Sequence, residues 1–572
     1  MKTCSSLLRM AVIVTLTALL SPTSALVAQQ PQDQKASDAH VVELMKKALA
    51  QVNAGQTAQG VAQPSQGAPV DLRLEDAVAR AMDQNIDLAV QRLNPQLQDL
   101  SLAGVRAAYR PTLTTTLGDQ SSTSIPRDTL SGGSITSTQT YTYNGGVRQT
   151  LPWTGGTANL NFTNNRAFLD SNNFTINPSY NSTFTASLTQ PLWRNFRIDT
   201  TRNSLWTGII SRQMADVNLR ASVVNTEAST RNAYWDLVFA VQNLEIQKNA
   251  QVLADQLVKD NQAKVEIGTL APLDVVTAQS GAAQARQRVV QAEQTRQQNE
   301  IALKRLIVNS VQDPLWSATL NPVDRPEAQT QAAPIDLKAA IANALERRTD
   351  LEISRQTLKQ SDITLKFNKN QALPAADLTA SYGAGGTAGD HWKRTDPLTG
   401  KDVNTGGVLS LLQGGGYTDA LSIMRQLKAP TWNVQVQFSY PLGTSSQDAA
   451  YARAKVQYQQ SLTQLKSAEL RVATDVTQAA LNVQSNLQQV ATARVARELA
   501  QKQLDAEQSK FEVGMQTNYF VVQAQQNLAA AQVSELQALL NYRKSLVTFQ
   551  QVQETGSASV SSVSSGSGST GG

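Results

Sequence analysis

Polar and apolar residues alternate strictly along several short stretches of the chain. Trp432, Val434, Val436, Phe438 and Tyr440 are apolar, while Asn433, Gln435, Gln437 and Ser439 between them are polar. Phe184, Ala186 and Leu188 alternate with Thr183, Thr185, Ser187 and Thr189, and Leu378, Ala380 and Tyr382 with Thr379 and Ser381. Leu113 and Leu117 lie amid threonines. Successive side chains on a strand point to opposite faces, so each stretch predicts a strand with one apolar face, about ten residues long, the length that crosses a bilayer when tilted. A soluble sandwich also uses such strands. Here they come in separated groups with long helical stretches between, which favours the lipid-facing reading. The first half carries an extra pair: Tyr141, Tyr143, Val147 and Leu151, a Pro152–Gly156 turn, then Leu160 and Phe162. That makes four strand candidates in the first half and two in the second.

A different periodicity precedes the strands. Leu74, Ala77, Val78 and Ala81 fall at i, i+3, i+4 and i+7, which predicts an amphipathic helix running to Pro111. Proline lacks an N–H and forces the preceding residue out of the α region, so Pro111, and likewise Pro374, is expected to end a helix. Much longer helices follow the strands. Between 445 and 554 there is no proline and one glycine, Gly514, in a sequence rich in Ala, Gln and Leu. Val476, Val483, Leu487 and Val490 mark an apolar seam at near-heptad spacing. The run before Gly514 is long enough for roughly 100 Å of helix at 1.5 Å per residue, too long for a compact domain, so Gly514 is the expected reversal point of a helical hairpin. The first half does the same from about Ile198 to Ile267, reverses at Gly268 to Pro272, and returns through the 300s. Small and amide side chains on several faces suit helices packed sideways into a wall around water; a solvated dimeric coiled coil shares the periodicity.

These parallels are a tandem duplication. Leu74, Ala77, Val78, Ala81, Asp87, Leu88 and Pro111 match Leu337, Ala340, Ile341, Ala344, Asp350, Leu351 and Pro374 at one constant offset. Pro191-Leu192 matches Pro441-Leu442, and Gly268, Val275, Val276, Ala278 and Gln279 match Gly514, Val521, Val522, Ala524 and Gln525. The expected organisation is a first repeat over 71–333 and a second over 334–554.

Composition narrows the chemistry. The 572 residues carry 50 Lys and Arg against 45 Asp and Glu, a net charge of +5 without clustering, which is no nucleic-acid footprint. Mean hydropathy is -0.30, which excludes a stack of apolar transmembrane helices. One cysteine, Cys4, and two histidines, His40 and His391, rule out a disulfide scaffold and a Cys/His zinc site. No phosphate-binding loop, triad or metal constellation is present, so neither catalysis nor a cofactor is expected. Lys2 and Arg9, the apolar run Met10–Leu20 and the small residues Ser24, Ala25 and Ala28 read as a secretory signal over 1–28. The apolar run is too short to span a bilayer. Cys4 precedes it, so the mature chain is expected to lack cysteine. Residues 29–70 read as a flexible extension with a short amphipathic helix near Val41–Leu49, and 555–572 as a disordered Ser/Gly tail.

The helix Leu74-Glu75-Asp76-Ala77-Val78, the Pro-terminated helix ends, Gln190-Pro191-Leu192 leaving a strand, and the segments Gly268–Gln279 and Gly514–Gln525, all duplicated in tandem, resemble the TolC-type outer-membrane efflux family over about 71–553. That resemblance implies a mixed α and β fold: long helical hairpins as a periplasmic tunnel, and transmembrane strands closing a barrel across a homotrimer. It implies an outer-membrane exit duct that receives substrate from a periplasmic adaptor and an inner-membrane RND or ABC pump. The alternatives are a periplasmic adaptor, which would lack the amphipathic strands, and a structural coiled-coil envelope protein. Whether the extra hairpin near 139–166 joins the barrel, giving four or six strands per protomer, stays open.

By the same resemblance Gly268, Thr269, Leu270, Gly514, Met515 and Gln516 are the periplasmic tips that meet the adaptor. The family's acidic ring past the second tip falls here on Phe520 and Gln523, and the first hairpin keeps an acid, Asp274. Phe520 either rings the aperture and gates by dewetting or packs within the hairpin. Asp274 either contributes to the gate or caps the returning helix. Pro111, Pro191, Pro374 and Pro441 mark the tunnel–barrel junction. Trp153, Trp193 and Trp432 are interfacial anchors or ordinary packing, and His391 is an inert exposed residue in an extracellular loop over 387–430.

Overall fold

The computed structural model describes residues 67–125, 135–170, 174–325, 335–403, 408–443 and 445–556. The secretory signal, the helix near 41–49 and the tail beyond 556 lie outside them. No helix among the described residues is long and apolar enough to cross a membrane.

The chain enters as β1 (Gly67–Leu72), so the boundary drawn at residue 71 falls inside a strand. Helices α1 (Leu74–Gln84) and α2 (Ile86–Ala107) follow. The single helix expected here is two. At Asn85 the backbone is extended, with φ −66° and ψ 120°; its side chain accepts from the Leu88 N–H and donates to the Leu306 carbonyl. In the second repeat α6 (Leu337–Arg347) and α7 (Thr349–Gln371) break likewise, at Arg348, φ −60° and ψ 127°. Neither break has a proline or glycine. The Arg348 guanidinium is buried and paired with Asp350 at 2.6 Å and Asp475 at 3.2 Å, so a tertiary anchor holds the extended residue. The helices end at Ala107 and Gln371, short of Pro111 and Pro374, while Pro95 lies inside α2.

Among the described residues seven strands form one antiparallel sheet: β2 (Thr112–Ser124), β3 (Thr136–Thr150), β4 (Thr157–Asp170), β5 (Ile176–Pro191), β7 (Ala375–Thr395), β8 (Val408–Gln413) and β9 (Pro430–Ser439). The order is β2-β3-β4-β5-β7, with β8 and β9 sharing the far edge of β7 at different levels. The extra hairpin, β3–β4, is therefore inside the sheet, hydrogen-bonded on both sides. The second repeat contributes three strands, not two, because 387–430 is not a plain loop. β7 runs on to Thr395, β8 pairs back onto it, and the nine-residue helix α8 (Tyr417–Arg425) follows. His391 sits half-buried on β7, paired with Gln413, rather than exposed in a loop.

The long helices are α3 (Thr200–Glu266) and α4 (Pro272–Ile307) in the first repeat, α9 (Ser446–Glu512) and α10 (Asn518–Glu554) in the second. α3 and α9 each have 67 residues, about 100 Å at 1.5 Å per residue. Between α4 and α6 lie a single turn, α5 (Pro314–Ser317), and β6 (Ala318–Pro322), which pairs with β1 as a small second sheet.

Packing along the helices is divided into separate apolar clusters rather than one core. Tyr234, Trp235, Leu237 and Val238 of α3 meet Ala77, Ala81, Leu303, Ile307 and Leu320. Val472 and Val476 meet Ala340, Ala344 and Leu351 in the equivalent place of the second repeat. Val483 and Val490, from the predicted seam, face Ala538 and Tyr542.

Candidate functional site

Pairing registers decide which residues share a face. Leu113 and Leu117 oppose Val147 and Tyr143; Val147 opposes Leu160, which opposes Ala186. Ala186 opposes Tyr382, and Tyr382 opposes Trp432. Directly opposed side chains point the same way, so the alternating apolar residues of β2 through β5, β7 and β9 gather on one face of the sheet. The other face carries Thr114 and Thr116, Asn144, Asn161 and Thr163, Thr183 and Thr185, Ser381, and Asn433 and Gln435. Arg148 and Asp377 are its charged residues from β2 through β5, up to Thr387 on β7, and on β9, and both lie near the helical end.

Helix α8 rests on the apolar face. Ala420 and Met424 are buried against β7, where a Cβ on Gly386 would stand 2.0 Å from the Ala420 carbonyl oxygen. Gly386 opposes Ser182 and is flanked on its face by the buried Ala384 and Ala388. Only a strand this small-sided lets a helix approach so closely.

Each of the four prolines stands where sheet and helices meet. Pro111 and Pro374 immediately precede β2 and β7, Pro191 is the last residue of β5, and Pro441 follows β9. The sequence reading missed the residue that fastens this junction. Arg202, at the start of α3, is buried; it pairs with Asp199 at 2.9 Å and donates to the carbonyls of Trp153, Asn195 and Arg197. It thereby ties the β3–β4 turn to the first turn of a long helix. Trp153 is exposed in that turn, Trp432 is exposed on β9, and Trp193 packs edge-on against Phe438 with ring centroids 5.9 Å apart.

Midway along the helices, Tyr234 donates to the Asp324 carboxylate at 2.7 Å, while that same carboxylate accepts from the Leu74 N–H at the start of α1. Burial, reinforced by the hydrogen bond to Asp324, pushes the Tyr234 phenol well above its ordinary range. Nearby, buried Glu300 pairs with Lys304 at 2.9 Å, and Lys304 donates to the carbonyls of Trp316 and Ala318 at the entry to β6. Glu300 and Lys304 are an i,i+4 pair within α4. No spacing motif announces the contacts of Tyr234 with Asp324 or of Lys304 with the entry to β6, because segments far apart in the chain or outside the helix make them.

The two hairpin turns are built alike. α3 closes with the Gly268 N–H on Val265 O and the Thr269 N–H on Lys264 O; α9 closes with Gly514 on Phe511 O and Met515 on Lys510 O. Gly268 and Gly514 have φ of +78° and +76°, and nothing lies within 4 Å of a Cβ placed on either. Backbone conformation rather than space therefore calls for glycine. Leu270 is half-buried against a core shared by both hairpins: Leu257, Leu504, Phe511, Val521, Ala524 and Leu528. The Lys264 ammonium lies 4.3 Å from the centre of the Phe511 ring.

Among the tip residues, Gly268, Thr269 and Met515 are exposed and Gln516 half-buried. Asp274 is half-buried in the first turn of α4, where its charge complements the helix dipole, but no side chain caps that helix by a hydrogen bond. Phe520 takes the same place in α10 that Asp274 takes in α4, since each backbone N–H bonds the carbonyl three residues back, Thr517 and Ala271. Phe520 is 47% exposed and stacks edge-on with exposed Tyr519, its neighbour in the same helix. Gln523 is exposed one turn further on. The structure brings the two tips together through a residue that sequence reasoning passed over, Asn518, whose buried amide donates to the Asp274 carbonyl oxygen at 3.0 Å.

Comparison with known proteins agrees with this architecture. The profile of the outer membrane efflux protein family matches residues 77–308 and 340–552. The fold is shared with the CmeC outer membrane channel of Campylobacter jejuni, at 15% identity and TM-score 0.58, covering 84% of this chain and 85% of that one. It is shared with VceC of Vibrio cholerae at 12% identity and TM-score 0.58, over 84% and 96%. The open-state MtrE channel of Neisseria gonorrhoeae is similar at 15% identity and TM-score 0.56, over 88% and 94%. No curated protein matches the chain.

Proposed function

The chain belongs to the outer membrane efflux protein family, and from that membership we propose that three copies form the passive exit duct of a tripartite efflux or secretion system. The family comprises outer-membrane channels rather than enzymes, and the protein resides in the outer membrane with a large periplasmic tunnel. In this reading the sheet crosses the membrane as part of a barrel closed across the trimer, apolar face to lipid and polar face to water. The α3–α4 and α9–α10 hairpins wall the tunnel. Their tips, Gly268–Leu270 and Gly514–Gln516, dock a periplasmic adaptor, and an inner-membrane RND or ABC pump supplies the energy. Residues 1–28 are the export signal.

One observation carries the reading: a sheet apolar on one face and polar on the other continues directly into helices of about 100 Å. A periplasmic adaptor or a coiled-coil envelope protein has no use for the apolar sheet face. The exposed position of Phe520 supports an aromatic constriction just inside the tips, with Gln523 one turn beyond and Asp274 supplying the charge of the first hairpin.

A photo-crosslinker on a cysteine at Met515, which is 80% exposed, tests the docking role in cells. Capture of an adaptor supports it, and the pump that co-purifies assigns the system to RND or ABC export. Capture of neighbouring copies alone removes the tip assignment.

A further inference from the structure

We propose that the exit barrel has eighteen strands, six from each of three copies, and closes with Thr112 of one copy opposite Ser439 of the next. The inference rests on the trimeric duct proposed above and adds its strand number, closing register and width.

Three observations lead to it. First, β3 and β4 are paired along their length with β2 and β5, so the hairpin widens the sheet instead of projecting from it. β8 and β9 share one edge of β7, so the sheet is six strands wide. Second, β2 and β9 are exposed along every residue, and their outer edges present unpaired backbone groups. In a bilayer those groups must find partners, which closure between copies provides.

Third, the register fits a closed barrel. The rung that begins at Thr112 runs through Arg148, Asn159, Ser187 and Ser381 to Asn433. It arrives six residues past Ser439, the end of β9 nearest the helices. Pro111 and Pro441 both hand the chain to the helical part, so Thr112 and Ser439 belong at one height. Closing them adds a stagger of six residues per copy, eighteen for eighteen strands. With ~3.3 Å per residue and ~4.8 Å between strands, that stagger tilts the strands by ~35°, as barrels of this kind require.

The same geometry puts the backbone ~17 Å from the axis, against ~11 Å for a twelve-strand barrel with four strands per copy. With its polar face inward and Arg148 and Asp377 confined to the helical end, such an exit selects little by size or charge. Selection then falls to the tips.

Spin labels test it. In a Cys4→Ser background, Thr115→Cys places a label on the apolar face of β2 and Thr116→Cys one on the polar face. Their averaged spacing between copies approximates that of the backbone. Pulsed electron resonance on the detergent-solubilised full chain is expected to give ~30 Å; a twelve-strand barrel gives ~20 Å and overturns the proposal. A monomeric mass with no distance between copies overturns the trimeric duct itself. For the register, Thr112→Cys with Ser439→Cys is expected to form a disulfide-linked trimer. Stronger linkage of Thr112→Cys to Gln437→Cys or Gln435→Cys refutes the closing register.

Discussion

Asn518 donates its amide to the backbone carbonyl of Asp274, 3.0 Å away, so the first residue of α10 is fastened to the first turn of α4. Asn518 is fully buried, and the bond joins the two tips of one protomer. Asn518→Ala is expected to loosen that joint by about 1 kcal/mol, the net worth of a typical intramolecular hydrogen bond. In the proposed duct this raises resting leak, seen as greater sensitivity of cells to a large antibiotic and faster proteolysis at 267–271 and 513–517. Unchanged proteolysis would remove the joint from any account of gating.

Gly268→Ala and Gly514→Ala are each expected to cost about 1 kcal/mol, because a Cβ is disfavoured at positive φ. Nothing lies close enough to clash, so the penalty is purely conformational. Hydrogen exchange confined to the last turns of α3 and α9 should report it. A larger, global loss of protection would mean the turns also carry packing that is absent from the described contacts.

Gly386→Leu should expel α8 from the sheet, since even a Cβ would fall within 2.0 Å of the Ala420 carbonyl. Protease cutting within 414–429 on intact cells should appear, while assembly of the sheet persists. Loss of the whole protein from the membrane would show instead that α8 is needed for strand pairing.

The Tyr234 phenol, held protonated by burial and by Asp324, makes stability depend on alkaline pH. Its folded pKa lies above the unfolded value of about 10, so its contribution is complete below pH 10 and is lost as pH rises beyond it. Thermal unfolding measured from pH 8 to 11 should show a decline that Tyr234→Phe lessens. At neutral pH the same variant should lose about 1 kcal/mol through the missing hydrogen bond. An unchanged alkaline decline would place its origin in other groups.

Much of this architecture was written locally in the sequence. Alternation assigned the apolar face of the strands correctly, because burial or lipid on one side demands period two. Gly514, alone in a long stretch free of glycine and proline, and Gly268, closely followed by Pro272 after some sixty residues without either, announced the reversals. Features that depend on partners far along the chain were silent. Asn85 is a residue type that caps helices, but nothing at Arg348 signals a helix break. The Asn85 amide is held by Leu306 and the Arg348 guanidinium by Asp475, partners far along the chain. β8 and α8 are short, six and nine residues, and are defined by pairing with β7 and by the seat at Gly386. At the tips, the exposure of Phe520 and the placement of Asn518 both required the fold.

The matched lengths of α3 and α9 impose a further condition. The two repeats differ in the sheet, one carrying the β3–β4 hairpin and the other β8 and α8, yet each outward helix counts 67 residues. Removing one residue from either would draw its tip back by about 1.5 Å and turn it by about 100°. The shared core of Leu257, Leu504, Phe511 and Val521 would then fall out of step. The two helices act as a vernier: an insertion in one keeps this core in step only when the other, and the returning helices α4 and α10, gain the same.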